Sequence, residues 1–298
     1  MSPSTCRRPT NPPAATGCAT ATPGEDSTGT SFPRQGAATL DAFLPLLVKA
    51  ATTAGVVVIA SRLAERFGPF WGALIAALPV SAGPAYVFLA LQHDAGFLAT
   101  SALGSYAANA ATALFLVAYA RLATRCGLAG SLGLALLAWG AAAAVIGAIA
   151  WTPVSATLLN VAAYAAGFAA LRSLPAAPPA PRAPLRRQRD LPLRAATVAA
   201  FVVIVVLASR ALGPQATGMA AVFPISLSSL IVILRPRIGA GASALLAASA
   251  LRAMIGFGLM LLALHLALPH LGVAPAMLLG LAVQLAWSLL LLARQRRG

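Results

Sequence analysis

Acidic residues are scarce in this 298-residue chain, where six Asp and Glu stand against 21 Lys and Arg, and lysine occurs only at Lys49. None of the six acids falls within an apolar run. Glu25, Asp26 and Asp41 precede the first run, and Glu65, Asp94 and Asp190 lie in connections. A buried carboxylate that carries protons and pairs with a cationic substrate is thus missing, which counts against a proton-coupled cation exporter. Cysteine is nearly absent too. Cys6, Cys18 and Cys126 are odd in number and share no ligand spacing, so neither a disulfide framework nor a metal site is indicated. No His/Glu metal pair, carboxylate dyad or Ser/His/Asp arrangement is present for the topology to assemble, so the sequence predicts neither an enzyme nor a cofactor.

Charged residues make up 9% of the chain, against about a quarter in soluble domains. What fills their place is apolar: 59% of residues are hydrophobic and the mean hydropathy is +0.85. This is the composition of a polytopic membrane protein. The basic residues sit between apolar runs rather than on an amphipathic face, so they are topology signals and not a nucleic-acid surface. Abundant Ala, Arg and Pro suggest a GC-rich bacterial genome.

Residues 1–42 are rich in Pro, Thr, Ser, Gly and Ala without an apolar run, the composition of a disordered tail. An organellar transit peptide or a misassigned start codon is an alternative account of the tail; Glu25 and Asp26 count against the transit peptide. Nine stretches then follow, at 43–61, 69–91, 96–120, 128–150, 154–172, 194–212, 216–234, 240–268 and 272–293, each apolar enough for a membrane helix. Trp151, Thr152 and Pro153 must form a tight turn between the fourth and fifth. A Pro/Arg-rich linker occupies 173–193, and 294–298 form a basic tail.

Alternation places Arg62, Arg66, Arg121, Arg125, Arg172, Arg182, Arg186, Arg187, Arg189, Arg194, Arg235, Arg237, Arg294, Arg296 and Arg297 on one side. The opposite connections hold only Arg210, apart from the tail arginines Arg7, Arg8 and Arg34. The positive-inside rule makes the rich side cytoplasmic, with the N-terminus out and the C-terminus in. Arginines on that side lie near anionic lipid headgroups.

Gly68, Pro69, Pro79, Ser81, Val87, Leu89 and Gly127 recur at one constant offset as Gly213, Pro214, Pro224, Ser226, Val232, Leu234 and Gly272. The expected fold is therefore an all-α bundle of about nine spans, in which repeat one (43–150) and repeat two (194–293) hold four helices each. A connector span at 151–172 joins them. Because that connector is a single span, the second repeat is inverted relative to the first, the arrangement that supports alternating access in transporters.

Pro79 with Ser81, and Pro224 with Ser226 and Ser228, mark two helices expected to be discontinuous, framing a polar midplane site. Ordinary proline kinks are the competing account. Ser101, Ser105, Asn109 and Thr112 fall on one helical face, and Asn160, Tyr164 and Gly167 on another, either as packing contacts or as a cavity lining. Arg252 falls deep in the eighth span and is a candidate for an anionic ligand, with a structural bond or snorkelling as the alternative. The candidate substrate-binding set is thus Pro79, Ser81, Ser105, Asn109, Pro224, Ser226, Ser228 and Arg252.

Gly68, Pro69, Gly72, Leu74 and Pro79 resemble the small bacterial inner-membrane proteins of the GlpM type, and Gly213, Pro214, Met219 and Pro224 carry a second copy that departs at Thr217 and Gly218. The resemblance implies a bacterial inner-membrane protein and transfers no catalytic or binding residue. Two functions follow as expectations. One is a transporter for a small neutral or anionic solute, and the other a non-transporting scaffold for an envelope-biosynthesis complex. A homodimer is compatible with either. A solvent-reachable midplane cavity bordered by Pro79, Pro224 and Arg252 would favour the transporter, and a solid, dry bundle at that point would exclude it.

Overall fold

Glycine and proline, more than loops, divide the helical chain. The computed structural model describes residues 82–173 and 190–297, with Val48, Ala51, Thr52 and Gly55. The helices are α1 (Ala82–Ala90), α2 (Ala95–Leu122), α3 (Leu128–Gly147), α4 (Pro153–Leu171), α5 (Asp190–Ala221), α6 (Ile225–Leu271) and α7 (Val273–Arg297), and the described residues contain no strand. Among the described residues five helical runs are long and apolar enough to cross a membrane, one of them spanning Ala195–Leu271. The expected all-helical class is therefore observed among the described residues, with helices of membrane-crossing length and hydropathy. All but four residues of the predicted first span, and residues 69–81 of the second with Pro79 and Ser81, lie outside the described residues.

Local chemistry sets the helix starts. The Asp94 side chain accepts the Phe97 N–H at 2.7 Å, capping α2. At α4, Thr152 and Ser155 form a reciprocal capping box and Pro153 stands first in the helix, where its missing N–H costs nothing. The Trp151 indole closes the same corner by donating to the Ile146 carbonyl at 2.8 Å. The tight turn expected there is thus present.

Elsewhere the reversals need almost no loop. Gly213, Gly239 and Gly272 have φ of 73°, 83° and 75° with ψ of 172°, 168° and 180°. That region is essentially closed to residues with a Cβ. Gly213 and Gly239 divide the long run Ala195–Leu271, and residues 222–224 leave helical geometry as well.

α2 is the central helix. Its most apolar window is 78% buried, whereas those of α3, α4 and α7 are 28%, 22% and 22% buried, so the outer helices present most of their surface to the surroundings. Three hydrogen bonds tie α2 to the 240–271 segment of α6. His265 Nδ1 pairs with the Ala99 carbonyl at 2.8 Å, Asn109 Nδ2 with the Met254 carbonyl at 3.3 Å, and Tyr119 Oη with Ser243 Oγ at 2.5 Å. As the number on α2 rises, that on α6 falls, so the two helices are antiparallel. α4 instead runs parallel to α2, through Tyr106 to Thr157 at 3.2 Å and Asn109 to Asn160 at 3.2 Å.

Helix starts obey the same offset as the Gly-Pro segments. Ala95 begins α2 and Ala240, its counterpart, follows the Gly239 break; Gly127 precedes α3 and Gly272 precedes α7. Arginine-bearing ends also gather at one end of the bundle, where Arg121 donates to the Ala170 carbonyl and Arg235 to those of Ala123 and Cys126.

Candidate functional site at the helix break

Small residues let the short segment 214–221 lie directly on α2. A Cβ on Gly104 would come within 2.6 Å of the Gln215 carbonyl oxygen, and one on Gly218 would overlap the Ser101 carbonyl. Serines of α2 use this proximity: Ser101 donates to the Pro214 carbonyl at 2.9 Å and Ser105 to that of Gly218 at 2.6 Å. Tyr86 Oη adds a 2.7 Å bond to Ser105 Oγ. Ser105 is therefore a backbone clamp, fully buried and bonded on both sides.

The pairings give the break its depth. Ser101 lies beside Pro214 and Ser105 beside Gly218, so one further turn brings residue 222 to the level of Asn109. Asn109 is at the middle of the 28-residue α2, a helix about 42 Å long. Helical geometry thus fails at residues 222–224 near the centre of the bundle, and resumes at Ile225. Pro224 stands at this restart without a side-chain capping bond, in keeping with its missing N–H and ring constraint.

Beyond the break, the hydroxyls of Ser226 and Ser228 are buried without a hydrogen-bond partner. Serine in a helix can donate back to its own preceding turn, as Ser229 does to the Ser226 carbonyl at 3.0 Å. Ser226 and Ser228 do not. Their spacing of two residues turns them toward different faces of the helix, so they do not converge on one ligand.

A second polar group lies where α2, α4 and α6 meet. Asn160 Nδ2 donates to the carbonyls of Tyr106 at 2.8 Å and Ala156 at 2.9 Å, while Asn109 Oδ1 and the Tyr164 hydroxyl have no partner. The predicted stripe of Ser101, Ser105, Asn109 and Thr112 is entirely buried, and Thr112 accepts the Trp139 indole N–H at 3.3 Å. Interhelical bonding accounts for most of it.

A cavity of about 820 Å³ lies between α3 and α5 and extends from Gly147 and Gly213 inward to Phe223, the middle residue of the break. Its wall includes Trp139, Phe201, Leu212 and Met219. Phe223 packs edge-on against Trp139 at 5.0 Å between ring centres and tilted against Phe201 at 5.6 Å. The cavity adjoins Pro224 in sequence, but neither Pro224 nor Arg252 lines it.

Arg252 does not join the break. Its residue is exposed, and the bond at this position is the Trp287 indole N–H to its backbone carbonyl, at 2.9 Å. It stands two residues from Met254, hence near the bundle's middle level. Among the described residues the buried arginine is Arg235, which sequence position alone assigned to a connection. It is 9% exposed and donates to Ser131 Oγ at 2.5 Å, the Ala123 carbonyl at 2.6 Å and the Cys126 carbonyl at 2.5 Å. Ala123 caps the end of α2, where a helix presents partial negative charge, and Cys126 lies in the turn before α3. The only sequence signal was an Arg-Pro-Arg corner between apolar runs.

Among the described residues no group of three or more His, Cys, Asp or Glu could hold a metal ion. No protein-family model, curated protein or solved structure matches the chain.

Proposed function

We propose that the chain is a transporter-like protein of a bacterial inner membrane, multi-pass with its N-terminus out, that moves a small neutral or anionic solute by alternating access. The observation that carries this reading is the failure of helical geometry at residues 222–224, level with Asn109 in the middle of α2. The N–H groups of Val222, Phe223 and Ile225 turn back onto the carbonyls of Met219, Ala220 and Phe223, so the break is closed by local turns at a depth where lipid could not satisfy them, and such breaks sit at the substrate sites of inverted-repeat transporters.

The same reading takes the two halves as inverted repeats. Support comes from the shared offset of the Gly-Pro segments and of the helix starts, and from the antiparallel run of α2 against residues 240–271. The Asn109–Met254 bond joins two equivalent positions, as happens on a two-fold axis. Lipid surrounds the bundle, and anionic headgroups meet the arginine-bearing end.

A direct test combines flux and accessibility. In a chain with Cys6, Cys18 and Cys126 changed to Ser, Ser226→Cys and Ser228→Cys are reacted with membrane-impermeant thiol reagents from each side of proteoliposomes. At least one position reacts, and a solute found by thermal-shift screening protects it and is carried across the vesicle membrane. No reaction from either side, together with no flux of any stabilising solute, overturns the transporter and leaves the scaffold.

A further inference from the structure

The cavity between α3 and α5 has the walls of an apolar site. Each polar side chain in it already donates within the protein: Thr100 to the Gly96 carbonyl at 3.0 Å, Gln215 to the Ile149 carbonyl at 3.0 Å, and Trp139 to Thr112 at 3.3 Å. The carbonyls of Gly213 and Pro214 in the wall accept from Thr217 at 2.7 Å and Ser101 at 2.9 Å. A polar solute entering here would surrender its hydration for few new bonds, at a cost of about 1–3 kcal/mol for each group left unmatched. Apolar matter faces no such penalty.

The opening also faces the right medium. Ala144, Gly147 and Leu212 are wall residues and are exposed on the flanks of α3 and α5, two of the helices apolar enough to cross the membrane. On the membrane-spanning reading, lipid is the medium beside such flanks. At about 820 Å³ the cleft has the size of ordinary ligand pockets, roughly 300–1,000 Å³. Its inner end is closed by the rings of Trp139, Phe201 and Phe223.

We infer that this cleft is a binding site for one acyl chain of a membrane lipid, which enters sideways between α3 and α5 and ends against Phe223. A chain in this position touches the residue at the helix break, so its presence bears directly on whether the break can straighten or bend. The site rests on the membrane-spanning reading alone and is separate from any polar solute bound at the break.

Tryptophan fluorescence tests it. Trp139 is made the sole tryptophan by Trp71→Phe, Trp151→Phe and Trp287→Phe, and the protein is reconstituted into phosphatidylcholine vesicles brominated at the middle of the acyl chain. Trp139 is only 8% exposed, yet its emission is expected to be quenched nearly as strongly as that of a lipid-facing reference, Leu137→Trp in a Trp139→Phe background. Ala144→Phe fills the mouth and relieves the quenching severalfold; Gly147→Leu, directed at the flexible end of Met219, does the same if the first variant folds poorly. Quenching that neither plug relieves overturns the proposal, as it then comes from lipid outside the cleft. Quenching by aqueous acrylamide in place of brominated lipid also overturns it, because the cleft is then wet, while the transport reading survives or fails on flux alone.

Discussion

The side-chain amide of Asn109 donates to the backbone carbonyl of Met254 at 3.3 Å, and these two residues stand at the same place in the two offset-related segments. The bond therefore links the two segments at positions related by the sequence offset. Asn109 also bonds to Asn160 of α4 at 3.2 Å, so the crossing is held by amides from two helices and a carbonyl from a third.

This crossing is expected to be modestly cooperative. A double-mutant cycle of Asn109→Ala and Asn160→Ala, read by unfolding in detergent, should return about 0.6 kcal/mol and no more than roughly 1.7 kcal/mol, as for other interhelical bonds in membranes. Gly258→Ala adds a diagnostic coupling. Its Cβ would approach Asn109 Nδ2 to 2.7 Å, so it should destabilise the native protein and do so much less in the Asn109→Ala background.

Close helix contact at the segment 214–221 depends on two glycines. Gly218→Ala and Gly104→Ala each drive a methyl into backbone that cannot rotate aside, and should cost about 1–3 kcal/mol or more by thermal unfolding. Gly140→Ala meets nothing within 4 Å and should be neutral or stabilising. Equal effects at all three positions would contradict the packing described.

The reversal at Gly239 is a matter of conformation rather than space. A Cβ there meets nothing within 4 Å, as at Gly133, but Gly239 has a φ of 83°. Gly239→Ala should therefore cost about 1–3 kcal/mol. Gly133→Ala should gain up to about 1 kcal/mol, because alanine has the higher helix propensity. Thermal unfolding of the two variants side by side separates them.

Arg235 and Arg252 should respond in opposite directions to the same change. Arg235→Met removes charge-assisted bonds worth about 1.5–3 kcal/mol each in favourable cases and frees the end of α2, which hydrogen exchange over residues 123–131 should register. Arg252→Met removes an exposed charge at the bundle's middle level. On insertion scales that charge costs about 2.5–3.5 kcal/mol, so the variant should be at least as stable as the parent in lipid.

The contrast shows where sequence reasoning reached and where it stopped. Arg252 sits deep inside an apolar run, and depth along a helix is visible in sequence. Which face of the helix it occupies depends on neighbours that sequence does not reveal: Leu251 is fully buried, while Arg252 beside it is exposed. Arg235 escaped notice for the converse reason. It falls between apolar runs, but the carbonyls at the end of α2 come from residues more than a hundred positions away and fold over it.

Pro224 was legible as an interruption because a missing N–H and a fixed ring act locally. Ser226 and Ser228 were legible as polar residues beside it, but not as hydroxyls buried without a hydrogen-bond partner. The stripe on α2 was correctly placed on one helical face. That its serines hold the backbone of residues 214–221 required the glycine-to-carbonyl approach, a contact across more than a hundred residues.

By itself the sequence determined the helical class with its membrane-length apolar runs, the tight turn at Trp151 to Pro153 and the interruption at Pro224. Each of these follows from hydropathy or from the backbone preferences of a few adjacent residues. Only the tertiary structure decided that α2 is enclosed and antiparallel to residues 240–271, that Arg235 rather than Arg252 is buried, and that an apolar cleft ends at Phe223. Those outcomes depend on which helix faces pack together, and in an apolar chain rich in alanine and leucine nearly every face is hydrophobic enough to be chosen. Close-approach glycines and a handful of hydrogen bonds make the choice.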